Sequence, residues 1–186
     1  MEIGFNHTYS LVASVDQSYA TMLARVLSVE KFHAMPWDDV WGVEASGVLK
    51  NLVAVAIGIV DGLDLGDNTK SYLFSHAYHE ILDVGERFFG ARRETLLHPA
   101  CLGDVVATSF SNKSRNRLIG LLLSKNVIPR SGREGFLVEG LRNIRAAYNL
   151  IPEAERGKYP VLEFLYRTVH GGANIYTALE ELLSRI

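Results

Sequence analysis

The sequence predicts a mainly α-helical fold preceded by a small β-α-β unit. From Val40 to Arg185 apolar residues recur at helical spacing, in runs punctuated by glycine and proline. Before Asp38, two stretches rich in β-formers, Tyr9 to Val15 and Lys31 to Trp37, flank one helical repeat. The 186 residues are 48% hydrophobic and 22% charged, which suits a soluble globular chain of one domain or a domain plus part of another.

Asp16 is placed to cap a helix over Gln17 to Ser28, where Tyr19, Leu23, Val26 and Leu27 fall at helical spacing. Two strands and one helix are too few to bury both faces of a sheet, so this unit reads as the end of a sheet whose beginning is missing. The next helix, near Val40 to Asp61, holds the most apolar stretch, Val48 to Val60. Lys50 and Asn51 interrupt that stretch, which falls short of the roughly 20 residues a bilayer requires, and it reads as buried. Further helices are expected over Asn68 to Phe88, Ser114 to Ser124, Leu137 to Leu150, Val161 to Val169 and Ile175 to Arg185. Gly62, Gly66, Gly90, Gly103, Gly157, Gly171 and Gly172 read as stops or turns, and Pro152 and Pro160 as the bounds of a loop. The change of pattern near Asp38 divides the chain into residues 1–37 and 38–186.

A net charge of −2 gives no global field to gather nucleic acid or an anionic membrane, so neither is expected as a partner. Cys101, the only cysteine, excludes an intrachain disulfide, suits a reducing compartment and reads as packing. The first residues lack the basic flank and apolar run of a signal peptide, and a cytoplasmic location is expected. The histidines show no H-E-x-x-H spacing, and no metal site is expected.

Three stretches could carry chemistry. In the first, a helix places Gly47, Lys50, Asn51, Ala54 and Gly58 on one small, polar face. A lysine set among apolar neighbours loses hydration of its ammonium, which is how lysines come to act as acids or bases. The structural alternative is a lysine snorkelling from a helix edge. In the second, Asp104 and Thr108 follow a glycine turn, and Ser114 is suited to cap a helix that opens with Arg115, Asn116 and Arg117. Free backbone N–H groups beside an arginine fork make a phosphate site; an ordinary capped, basic helix start is the alternative. The third is Phe136-Leu137-Val138-Glu139-Gly140 at a helix start, where the glutamate by itself is better explained by the helix dipole than by a function.

Taken together, Asp38-Asp39-Val40-Trp41-Gly42-Val43-Glu44, Gly47-x-x-Lys50-Asn51, Gly58-x-x-Asp61-Gly62-Leu63-x-Leu65-Gly66-Asp67-Asn68, Leu102-Gly103-Asp104, Ser114-Arg115-Asn116-Arg117 and Val138-Glu139-Gly140 resemble the C-terminal domain of NAD-dependent glycerol-3-phosphate dehydrogenases. The resemblance covers nearly the whole chain. It implies a helical dehydrogenase domain of the 6-phosphogluconate dehydrogenase C-terminal type over 38–186, and over 1–37 a β-α-β remnant of a Rossmann-type dinucleotide-binding domain. It implies Lys50 as proton acceptor, oriented by Asp104. Asp104, Ser114, Arg115 and Asn116 would contact a small phosphorylated substrate, with Asn51 and Thr108 lining the same pocket. Arg115, Leu137 and Glu139 would touch the nicotinamide cofactor, NAD or NADP. Oxidising a secondary alcohol needs such a base at its hydroxyl and such a cationic clamp on its phosphate.

The departures from the family pattern are Ser46-Gly47 for Gly-Gly, Ser109-Phe110-Ser111-Asn112-Lys113 for Cys-Thr-Ser-Pro-Leu, and the loop through Pro129 to Arg133. The family's Gly-rich fingerprint lies in its N-terminal domain, and no G-x-G-x-x-G occurs here. Alone, the chain is therefore expected to be inactive and to need a dinucleotide-binding domain or subunit; homo-oligomerisation is also expected. Rival readings are a non-catalytic phosphometabolite-binding or oligomerisation module, and a dehydrogenase half acting on another small hydroxy compound.

Overall fold

The computed structural model describes residues 6–127 and 138–186. Strand β1 (Thr8–Ala13) pairs in parallel with β2 (Phe32–Trp37), from Thr8 opposite Phe32 to Ala13 opposite Trp37. Helix α1 (Gln17–Leu27) makes the crossover. Asp16 caps it, its carboxylate accepting from the N–H groups of Ser18 and Tyr19. The expected β-α-β unit is thus present, with β1 starting one residue earlier and ending two residues earlier than expected and β2 starting one residue later.

The helical body is built around α2 (Val40–Leu63), against which α3 (Gly66–Phe89), α5 (Pro99–Phe110), α6 (Arg115–Ser124) and α7 (Val138–Leu150) pack. Helices α8 (Pro160–Val169) and α9 (Ile175–Arg185) complete the core. Leu49, Val53, Ala54, Val55, Ala56, Ile57 and Ile59 of α2 are fully buried. The 24 residues of α2 are long and apolar enough to cross a bilayer, but most of this surface is enclosed by the other helices. Each large apolar side chain so enclosed contributes roughly 1.5–3 kcal/mol. The helix ends at Asp64, which adopts a left-handed conformation with φ 55°.

Small residues let α6 approach α2 closely. A Cβ at Gly58 would collide with the Arg117 carbonyl oxygen, and one at Gly120 with the Val55 carbonyl oxygen. This brings the first turn of α6 alongside α2.

The passage from β2 into α2 is fastened. Asp39, 6% exposed, caps α2 through the Gly42 N–H and also accepts from the Thr95 hydroxyl and the Arg92 N–H. Burial opposes ionisation of Asp39, but these hydrogen bonds outweigh it and hold the carboxyl below its usual range. The Trp37 indole N–H donates to the Thr95 oxygen at 2.8 Å, tying the last residue of β2 to the short helix α4 (Arg93–Leu96).

Glu80 of α3 is 8% exposed and lies against the start of α8, accepting from the N–H groups of Val161 at 2.7 Å and Leu162 at 3.0 Å. Burial pushes its carboxyl up to about 7 despite the opposing pull of those two N–H groups.

The expected glycine turn at Gly103 is corrected: residues 99–110 form α5, with Gly103 inside it. Pro99 at the first turn, the His98 side chain accepting from the Ala100 N–H, and buried Cys101, Val105 and Ser109 at fourfold spacing define this helix. One exposed glycine, which costs about 1 kcal/mol relative to alanine, does not overcome them. Gly157 likewise lies within a 3-10 helix (Glu153–Lys158) occupying most of the expected Pro152–Pro160 loop.

Candidate active site

The middle of α2, the second half of α5 and the start of α6 enclose a cleft of about 540 Å³. Gly47, Lys50 and Asn51 line it from α2, Thr108 from α5, and Ser114, Arg115 and Asn116 from the facing side. A second hollow of about 540 Å³ adjoins it through Gly47 and Ala107, walled by His7 to Leu11 of the β unit and by Cys101 and Asp104.

Lys50 donates to Asp104 at 2.5 Å, an ion pair bridging α2 and α5. Its side chain is 24% exposed and that of Asp104 50%. The expectation of a lysine among apolar walls is corrected: its head meets a carboxylate in an open cleft, because α5 continues as a helix and turns Asp104 toward α2. One turn on, Thr108 donates to the other Asp104 oxygen at 3.3 Å. The carboxylate is thus held by a lysine and a hydroxyl.

Asn51, 4% exposed, accepts at its side-chain oxygen from the Asn116 amide at 2.7 Å, and its own amide donates to the Gly47 carbonyl at 3.3 Å. The two asparagines form a bridge between α2 and α6. Gly140 makes room for it, since a Cβ there would collide with the Asn116 carboxamide oxygen.

Ser114 caps α6, its hydroxyl accepting from the Arg117 N–H at 3.3 Å. The remaining first-turn N–H groups and the exposed Arg115 guanidinium give this end of the cleft a positive character. Lys50, paired with Asp104 at the border with the adjoining hollow, lines the same cleft, which thus holds a paired lysine together with an anion-attracting helix start.

Of the residues singled out in the sequence, Lys50, Asn51, Asp104, Thr108, Ser114, Arg115 and Asn116 converge on this region. Leu137 lies outside the described residues; Glu139 falls on the first turn of α7, its side chain likewise outside them. Cys101 is buried, and burial pushes its thiol up, in keeping with packing. Sequence reasoning missed Ser111 and Lys113, which also line the cleft. Their signal was position alone, in a polar run abutting the Ser114 cap.

The family profile described as NAD-dependent glycerol-3-phosphate dehydrogenase C-terminus matches residues 39–180. The chain is 36% identical over 180 residues to the glycerol-3-phosphate dehydrogenase (NAD(P)+) of Clostridium tetani, covering 96% of the chain and 51% of that protein. With the enzyme of the same name from Bacillus licheniformis it shares 33% identity over 189 residues, 100% of the chain and 54% of the relative. A crystal structure of glycerol-3-phosphate dehydrogenase from Coxiella burnetii superposes with a TM-score of 0.83 at 33% identity, covering 96% of the chain and 55% of that structure. The chain spans about half the length of the curated relatives it matches.

Proposed function

Because the chain belongs to the NAD-dependent glycerol-3-phosphate dehydrogenase family and matches its C-terminal domain, we propose that it supplies the substrate-binding and catalytic side of an enzyme that interconverts glycerol 3-phosphate and dihydroxyacetone phosphate. The observation that carries this reading is that Lys50, paired with Asp104, lines the same cleft as the α6 N-terminus and Arg115. A phosphorylated secondary alcohol asks for those two poles at once.

In this reading the α6 start, Ser114 and Arg115 take the phosphate. The Asn51–Asn116 bridge and Thr108 fix the oxygen on C2. In the oxidising direction the Lys50 amine takes the hydroxyl proton as hydride leaves C2; in the reducing direction the ammonium returns it to the carbonyl oxygen. Asp104 aims the lysine and balances its positive charge.

NAD or NADP would accept or supply the hydride when bound. The fit of this chain to a dinucleotide is partial: the exposed Arg115 guanidinium is available to it at the cleft, but the sequence has no G-x-G-x-x-G to cradle a pyrophosphate. The cofactor is therefore held mainly by a dinucleotide-binding unit outside these residues, with Leu137 and Glu139 as further contacts from this side. A cytoplasmic setting suits the single cysteine.

Calorimetric titration with glycerol 3-phosphate, with glycerol as control, tests the reading. Binding of the phosphate ester, abolished for glycerol and weakened by Asp104→Asn, is expected. Equal binding of ester and alcohol, or binding of neither, overturns it.

A further inference from the structure

The turn from α5 into α6, residues 111–114, supplies Ser111, Lys113 and Ser114 to the cleft, and it is fastened on its far side. Arg117 turns its side chain toward α2. Its Nε donates to Asp61 Oδ2 at 2.6 Å, and a terminal nitrogen donates to the Asn112 side-chain oxygen at 2.8 Å. Asp61 lies three turns beyond Lys50 on the same face of α2. Its other oxygen accepts from Lys70 of α3 at 3.1 Å. The Arg117 and Asp61 side chains are only 18% and 13% exposed, whereas Asn112 is exposed.

We infer that Asp61, acting through Arg117 and Asn112, is a positioning residue for the anion side of the cleft. The inference deepens the functional reading above and rests on it. Arg117 is already registered to α2 through its main chain, which packs where Gly58 has no side chain. The guanidinium fork then reaches two acceptors in different directions, which an ammonium does not. Carboxylate, guanidinium and carboxamide form one line from the core to the exposed turn. The line holds residues 111–114 in the arrangement that sets Ser114 and Arg115 opposite Lys50 and Asn51. Ordering a short exposed turn before the ligand arrives removes that ordering cost from binding. Asp61, Arg117 and Asn112 do this from behind the cleft, so they change affinity without changing the groups that meet the ligand.

The test is calorimetric titration of the full chain with inorganic phosphate, alongside melting temperatures. Asn112→Ala cuts only the last link at an exposed residue; the melting temperature stays put while the dissociation constant rises roughly three- to tenfold. Arg117→Lys keeps an ion pair with Asp61 but not the reach to Asn112, and its affinity should match that of Asn112→Ala. Asp61→Asn lowers both affinity and melting temperature. Phosphate binding by Asn112→Ala and Arg117→Lys as tight as in the unaltered chain overturns the inference alone. Failure of the unaltered chain to bind phosphate overturns the functional reading, and this inference with it.

Discussion

Gly58 of α2 and Gly120 of α6 meet backbone to backbone: a Cβ on Gly120 would come within 3.0 Å of the Gly58 carbonyl carbon. Main chain on both sides leaves nothing flexible to give way. Gly58→Ala and Gly120→Ala should therefore each destabilise the protein by roughly 1–3 kcal/mol or more in urea unfolding. Gly103→Ala meets open space on α5 and should stabilise by about 0.5–1 kcal/mol. A loss of stability from Gly103→Ala would argue against a helix there.

Lys50→Met removes the ammonium that pairs with Asp104. Turnover by the enzyme assembled with a dinucleotide-binding counterpart should fall by about 10²–10⁴-fold. The partly exposed pair contributes little to folding, so the melting temperature should hold. Near-normal turnover would remove Lys50 from the chemistry, and a collapse of stability would make it a structural residue.

Arg115 is exposed at the cleft and stands beside the capped start of α6. Glycerol 3-phosphate should raise the melting temperature by mass action, and Arg115→Ala should abolish the rise. Arg115→Lys should retain part of it, because a point charge replaces a fork that grips two oxygens. An undiminished shift in Arg115→Ala would move the anion site elsewhere.

The order of elements was legible because each long helix carries its own apolar periodicity. Asp16 and Ser114 were legible as caps because each is a short oxygen-bearing side chain immediately before a helical repeat. Helix α5 was not, since its only three buried side chains, Cys101, Val105 and Ser109, are a weak periodic signal and Gly103 suggests a break. The residues of the cleft were found as types; the Lys50–Asp104 contact was implied only by the family resemblance, and the Asn51–Asn116 bridge was not read at all. That Asn51 meets Asn116 follows from how closely α2 approaches α6, which Gly58 and Gly120, one or two turns farther along those helices, decide.

Glu80 makes stability pH-dependent. Its carboxyl ordinarily titrates at 4.5, and in the folded protein at about 7. Between these values the unfolded chain gives up a proton that the folded one keeps, so stability is fullest below 4.5 and is lost as pH rises through about 7. The loss is on the order of 3 kcal/mol. Glu80→Gln, neutral at every pH, should flatten this portion of the stability curve measured by denaturant unfolding at pH 4.5, 6 and 8. A slope unchanged in the variant would assign the titration to another group.

The β unit exposes apolar surface: Tyr9 is 58% exposed, Tyr19 51%, Met22 50% and Val26 71%. A two-stranded parallel sheet whose edges are unpaired by any other named strand among the described residues is a template for another chain. Light scattering should show self-association or capture of a dinucleotide-binding subunit, and deletion of residues 1–37 should abolish it. A monomer unaffected by the deletion would leave this surface without a binding role.

Trp37 is anchored to Thr95 and packs against His98, while Trp41, the second residue of α2, is 70% exposed. The seam between the β unit and the helical body therefore passes through an indole that is bonded on the far side. Moving β2 away from α4 would strip a donor from a buried hydroxyl already committed to Asp39, so residues 37–39 form a stiff join between the β unit and the helices.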